Sequence, residues 1–316
     1  MKEIGGYMEL ETYRLPMRHE GAVALNCGRN ALAYLIEARN IKKICLPRFL
    51  CSSVEGVCRK MGVVVRYYSV TEEFHPKVPE MQEDEWLYLV NYYGQLSREM
   101  LGEIIREHPK AIVDNAQHYF GEPVSGVDTI YTCRKYFGVP DGAFLYTESG
   151  LYRELTRDES YTRMGFVLGR YERPASEFYS QSADNNRFFA EEPVKKMSRL
   201  TENLLHGIDY EFVRRKREEN FHILACALGE KNMLKVRECE GPFMYPFMSE
   251  DADRIRKKLL ERKIYIPVLW PNVLTECPED SAEYRLAKNI LPLPCDQRYD
   301  GDDMKAILCY LADEGV

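Results

Sequence analysis

The sequence of 316 residues contains ten cysteines but no Cys-x-x-Cys pair, and its six histidines include no pair at zinc-ligand spacing. A structural zinc site is therefore not expected. No apolar run approaches a membrane span, and the opening Met1-Lys-Glu-Ile-Gly-Gly6 lacks an apolar signal core. Positive charge is in deficit: 43 Lys and Arg against 50 Asp and Glu leave a net charge of −7, which speaks against a nucleic-acid partner. The basic run Arg214-Arg-Lys-Arg217 is followed at once by Glu218 and Glu219 and reads as a solvated helix face. No Ser-His-Asp or Cys-His arrangement is evident, and repeats, low-complexity tracts and Gly/Pro-rich linkers are missing.

What remains is ordinary for a soluble globular protein: 45% hydrophobic and 29% charged residues. The length allows a sizeable core and two domains. Most cysteines sit in apolar runs, such as Ile44-Cys45-Leu46, as buried thiols of a reducing compartment do. A cytoplasmic protein is expected.

Short apolar runs alternate with helical patterns through the first half. Strands are expected at 22–26, 44–47, 63–68, 87–91, 111–114, 129–132 and 142–146. Helices are expected from Gly28 to about Arg39, near 53–60 and over 99–107. This order implies an α/β domain around a largely parallel sheet, whose ligands bind at the carboxyl ends of strands. Asn91, Asp114 and the turn at Gly28 fall at such ends. Residues 150–190 are polar and aromatic with weak periodicity. A long helical stretch is expected from about Glu192 to Cys226. Strand 244–247, helix 252–262, strand 265–269 and helix 302–312 then suggest a small α+β module. The division expected is residues 1–205 and 206–316.

Lys135 closes an apolar run and precedes Gly138-Val-Pro-Asp-Gly142, a turn that exposes strand-end residues. In a partly desolvated pocket its amine pKa falls, which favours the nucleophilic form; on an open surface it is only a solvated lysine. Asp114 ends the run Ala-Ile-Val and reads either as a strand-end cap or as a buried carboxylate kept ionised by a cation. Gln117 follows three residues later, facing either the same ligand or its own loop. Asn26-Cys-Gly28-Arg29-Asn30 is a strand-to-helix junction that offers free amides and a cation to an anion, or merely a tight turn. The hydroxyl of Thr132 is placed to reach the same anion. Tyr92 and Tyr93 are either pocket wall or core. His118 is the one histidine near these residues. An acid, an amide and a lysine in this order suit a site for pyridoxal 5′-phosphate (PLP), with Lys135 forming a Schiff base and Asp114 keeping the ring nitrogen protonated.

Taken together, Asn26-Cys-Gly-Arg-Asn-Ala-Leu32, Val90-Asn-Tyr-Tyr-Gly-Gln95, Val113-Asp-Asn-Ala-Gln117, Lys135 with Pro140-Asp-Gly142, and Asp184-Asn-Asn-Arg187 resemble the DegT/DnrJ/EryC1/StrS family of PLP-dependent sugar aminotransferases. Ile290-Leu-Pro-Leu-Pro-Cys-Asp296 before a terminal helix resembles that family's small domain. The resemblance implies the α/β fold type I of PLP enzymes: a large domain with a mostly parallel mixed sheet, a small α+β C-terminal domain, and a homodimer. It implies catalytic roles for Lys135 and Asp114, and cofactor contacts for Gly28, Arg29, Asn30, Gln117 and Thr132. Asn185 matches an asparagine that reaches the neighbouring subunit's phosphate. No metal is implied.

The departures from that family are specific. Cys27-Gly28-Arg29 stands where Ser-Gly-Thr is usual. Cys51 occupies the place of an aromatic that stacks on the cofactor, with Phe49 a substitute. Ile130 replaces a serine five residues before the lysine, and the chain is short between 150 and 190. The expected activity is transfer of an amino group from an amino acid, with glutamate the first choice, to a keto-sugar, nucleotide-linked in the family's manner. Another PLP reaction and a non-catalytic binding protein are the alternatives.

Overall fold

Seven of the strands that form the main sheet are built from residues that prefer a pleated, buried surface. The computed structural model describes residues 4–316. Its first half runs β1 (Val23–Leu25), α1 (Gly28–Ala38), β2 (Lys43–Pro47), α2 (Ser52–Lys60), β3 (Val64–Val70), the short β4 (Pro76–Lys77), β5 (Glu85–Val90), α3 (Arg98–Glu107), β6 (Ala111–Asp114), β7 (Asp128–Thr132) and β8 (Ala143–Tyr146). These strands form one eight-stranded sheet in the order β1-β8-β7-β6-β5-β2-β3-β4. Neighbours from β7 to β3 pair in parallel, while β8 is antiparallel to both β1 and β7. The carboxyl ends of β1, β7, β6, β5 and β2 therefore share one rim, as the strand–helix alternation implies.

The second half departs from expectation in three places. Residues 150–190 carry two helices, α4 (Gly165–Glu172) and α5 (Tyr179–Phe188). Their apolar residues are only partly covered, so no clear stripe marks them. The stretch 192–226 is not one helix. It begins as extended chain, in which Asn26 N donates to Lys195 O (3.0 Å) and Met197 N to Ala24 O (3.1 Å). Helices α6 (Arg199–Leu205) and α7 (Tyr210–Leu228) follow, capped by Ser198 and Asp209 respectively. Residues 265–269 form no strand. Pro267 lacks a donor for a ladder, and β9 (Tyr245–Met248) pairs antiparallel with β10 (Ile290–Leu293) instead. Helices α8 (Ala252–Glu261), α9 (Val273–Glu276), α10 (Ala282–Asn289) and α11 (Gly301–Asp313) complete the chain. Asp300 and Asp303 close a capping box at the start of α11.

The basic run on α7 is only partly solvated. Arg214 pairs with Glu211 and Glu218, and Lys216 with Glu219, but Arg217 turns inward and is 1% exposed. It donates to the carbonyls of Pro242 (2.8 Å) and Tyr136 (3.3 Å) and to Gln297 Oε1 (2.8 Å). A buried arginine that saturates carbonyls is a tie between segments, not a surface charge. Around β9 and β10 a second core gathers Phe221, Leu224, Tyr245, Phe247, Leu259 and Leu291.

Candidate active site

The connection from β7 to β8 joins antiparallel neighbours, so residues 133–142 form a short loop on the rim. Cys133 N donates to Gly142 O (3.1 Å) and closes the base of this loop, while Gly142 N donates to Asn26 O (2.7 Å). Gly142 has φ +114°, and a Cβ there would meet Thr201 Cγ2 at 3.0 Å and Cys133 Sγ at 3.2 Å, so glycine is required. Asp141 is fully buried and accepts from Ser198 N and Ser198 Oγ (both 2.8 Å) and from the Thr201 hydroxyl. The loop is thereby anchored to the start of α6. Gln297 Nε2 and Arg217 hold Tyr136 O from the other side, and the Arg217 guanidinium lies 4.4 Å from the centre of the Tyr136 ring. Lys135 is carried between these anchors.

The Lys135 side chain projects into a cavity of about 490 Å³. The residue keeps accessible surface, while protein surrounds its amine end. Its amine makes no hydrogen bond or ion pair among the described residues. The Phe243 ring centre lies 5.5 Å from Nζ. Desolvation lowers the Lys135 pKa from 10.5, and the Asp114 carboxylate opposes that shift.

Asp114 ends β6 in the same cavity. Oδ1 accepts from Ala116 N (2.8 Å) and Oδ2 from the Tyr88 hydroxyl (2.8 Å). Burial and the Asp114 charge hold the Tyr88 phenol well above its usual pKa, so it stays a donor. Gln117 accepts at Oε1 from Tyr93 N (2.9 Å), leaving its buried Nε2 without a partner. Gly28, Arg29 and Thr132 line the same space. Cys27 offers no side-chain cap to α1, and the first amide to find a helical partner is that of Ala31, on Cys27 O at 3.0 Å. The amides before it are free for an anion.

Two expected residues stand elsewhere. Asn30 is buried behind the turn, donating to Asn26 Oδ1 (2.9 Å) and Pro193 O (2.8 Å). Asn185 is 4% exposed, with Nδ2 on Pro140 O (2.8 Å) and Oδ1 on Arg163 Nη1 (3.2 Å). Both side chains brace the fold and are spent on it. Phe49 does not replace a stacking aromatic: it is buried edge-on against Trp270, ring centres 4.6 Å apart. Trp270 itself reaches the cavity, beside Cys51. Tyr92 and Tyr93 are core residues. His118 faces a different cavity, of about 530 Å³, with Asn91 and Cys239. That space lacks the lysine and the acid.

The motifs did not reveal Tyr88, Arg134, Trp270 or the wall formed by Phe166, Val167, Ser182 and Asn186. Only Arg134, next to the lysine in sequence, left a local signal.

The fold is an α/β fold with a mixed, mostly parallel sheet, a smaller second sheet, and a ligand cavity at the carboxyl rim. It is the fold of solved sugar aminotransferases. CalS13 from Micromonospora echinospora aligns with a TM-score of 0.63 at 15% identity, over 92% of this chain and 87% of that one. A DegT DnrJ EryC1 StrS aminotransferase from Brucella abortus aligns with a TM-score of 0.61 at 15% identity, over 93% and 86%. NtdA from Bacillus subtilis, with bound cofactor PMP, aligns with a TM-score of 0.66 at 15% identity, over 92% and 72%. No protein-family model and no curated protein sequence matches the chain. Among the described residues no helix is long and apolar enough to cross a membrane.

Proposed function

We propose that the chain is a PLP-dependent aminotransferase that moves an amino group from an amino acid, glutamate first, to a keto-sugar carried on a nucleotide. One observation carries the reading: an unpartnered, desolvated Lys135 amine shares a cavity with Asp114, a buried carboxylate already oriented by two donors. The free Nε2 of Gln117 is a second group without a protein partner. The likeness in fold to NtdA, solved with bound PMP, supports the same cofactor.

In this reading Lys135 holds the cofactor covalently, Asp114 holds its ring nitrogen, and Gln117 donates to its ring oxygen. Gly28, Arg29 and Thr132 hold its phosphate. The bound cofactor supplies an electron sink for the pair left on the substrate carbon when a proton departs. Once the substrate amine has displaced it from the cofactor, Lys135 Nζ, its charged form disfavoured by burial, would be free to take that proton and give it back. The Tyr88 hydroxyl fixes Asp114, and the walls at Phe166 and Trp270 exclude water.

The division into residues 1–205 and 206–316 belongs to this reading and is supported by the second core, whose buried members all follow residue 220. So does a homodimer, supported by the exposed Leu168, Tyr171 and Tyr179 on α4 and α5. The ten free cysteines support a reducing cytoplasm.

The test is the visible spectrum of the protein with added PLP, followed by borohydride reduction and peptide mapping, then 2-oxoglutarate release from glutamate. A band lost in Lys135→Ala and label confined to Lys135 support the cofactor site, and 2-oxoglutarate supports the transfer. A protein that binds PLP and yields no keto acid from any common amino donor is not an aminotransferase.

A further inference from the structure

Arg29 and Arg134 line one cavity, Arg163 stands near enough for Arg134 to feel its charge, and only Arg163 has a carboxylate. Arg163 is paired with Asp158 at 2.7 Å. Arg29 and Arg134 have no acidic partner among the described residues. Both reach the same neutral residue: Arg29 Nη1 donates to the backbone carbonyl of Asn186 (2.9 Å), and Arg134 Nη2 donates to its side-chain oxygen. A guanidinium has five N–H donors, so most donors of each group remain unused. Arg134 is further held by the Phe189 ring, whose centre lies 4.8 Å from its guanidinium carbon.

Arg134 carries the electrostatic strain of this arrangement. Burial pulls the Arg134 pKa down to about 10, and the positive charges of Arg29 and Arg163 act in the same direction. Like charges brought together without an acidic partner favour a bound counter-charge. The adjoining turn adds the free amides of α1, which also favour an anion. Gly28, Arg29 and Arg134 line the same cavity, and two guanidinium groups beside free helix amides are donors enough for a tetrahedral dianion.

We infer that Arg29 and Arg134, held together by Asn186, form a clamp for a phosphate dianion and give the cavity its preference for the phosphorylated form of its cofactor. The inference rests on the cofactor reading. It adds that side chains, rather than the helix end alone, select the phosphate, and that Arg134 is a ligand-binding residue.

The experiment compares PLP with pyridoxal, which lacks the phosphate, by absorbance titration and quenching of Trp270 fluorescence. Wild type takes PLP more tightly by a factor of about 100 or more, as two charge-assisted contacts imply. In R29Q/R134Q the ratio falls to within about tenfold while pyridoxal binding is kept. An undiminished ratio in the double variant overturns the clamp and leaves the cofactor reading standing. Wild type that binds neither compound overturns that reading, and the clamp with it. A second measurement needs no variant: phenylglyoxal labelling of Arg29 and Arg134 in wild type, mapped by peptide. PLP and inorganic phosphate slow it, and pyridoxal does not. Protection by uridine diphosphate but not by PLP assigns the arginines to a nucleotide-linked substrate and overturns the inference as stated.

Discussion

The Tyr88 hydroxyl donates to Asp114 Oδ2 at 2.8 Å between parallel neighbours β5 and β6, with both residues buried. The phenol leaves the other carboxylate oxygen to the Ala116 amide, so the acid stands in one orientation. Tyr88→Phe leaves a buried charged acceptor short of a partner. A loss of about 1–3 kcal/mol in urea unfolding is expected, together with weaker PLP binding. An unchanged unfolding midpoint means the bond contributes nothing.

Lys135 is an amine with no partner among the described residues, and its surroundings disfavour the charged form in the cofactor-free chain. Lys135→Met keeps the length of the side chain and removes the charge. Without PLP the variant is expected to be at least as stable as wild type. Added PLP raises the melting temperature of wild type more than that of the variant. A destabilised variant contradicts the idea that stability is spent on reactivity here.

Asp141 gathers two hydroxyls and an amide from Ser198 and Thr201. Asp141→Ala removes all three bonds, and a loss of about 2–4 kcal/mol is expected in chemical denaturation. Borohydride trapping at Lys135 drops as well, because the loop carrying the lysine loses its anchor to α6. Trapping at wild-type levels in a destabilised variant separates stability from positioning and counts against the anchor.

His19 and His118 supply the pH dependence. Burial lowers both from 6.5 to about 4. His19 is neutral with both nitrogens engaged, on Tyr146 (3.1 Å) and Tyr119 (3.0 Å). Between 4 and 6.5 the unfolded chain binds protons that the folded chain refuses. Stability therefore falls as pH drops through that window, by on the order of 3 kcal/mol per histidine at its lower end. Urea midpoints measured from pH 7.5 to 4.5 follow this decline, and His118→Gln makes it shallower. A flat profile above pH 5 rules the effect out.

The sheet was readable because its strands are short buried runs set off by turns, and Lys135, Asp114, Gln117, Gly28, Arg29 and Thr132 stand at strand ends that pattern alone locates. Arg217 reads as a solvated charge, although its place in the helix points inward. Val213, Arg217, Asn220, Phe221 and Leu224 are all buried on α7, and helical spacing puts the arginine on their face. Its charge concealed that. The span 265–269 looked like a strand because it is apolar, yet Pro267 and the positive φ of Trp270 (+61°) keep it out of the sheet. Trp270, Asn186 and Phe166 could not be assigned to the cavity from local pattern, since contacts between distant segments bring them there.

The lysine loop is a hairpin between adjacent strands, whereas Trp270 arrives from more than a hundred residues away. The Lys135 amine thus sits on a local hairpin braced by α6 and α7, while the far wall is set by long-range packing alone. Substitution can remodel the far side without disturbing the place where the amine stands. Swapping residues 265–272 should alter which compounds enter while leaving the lysine as reactive as before.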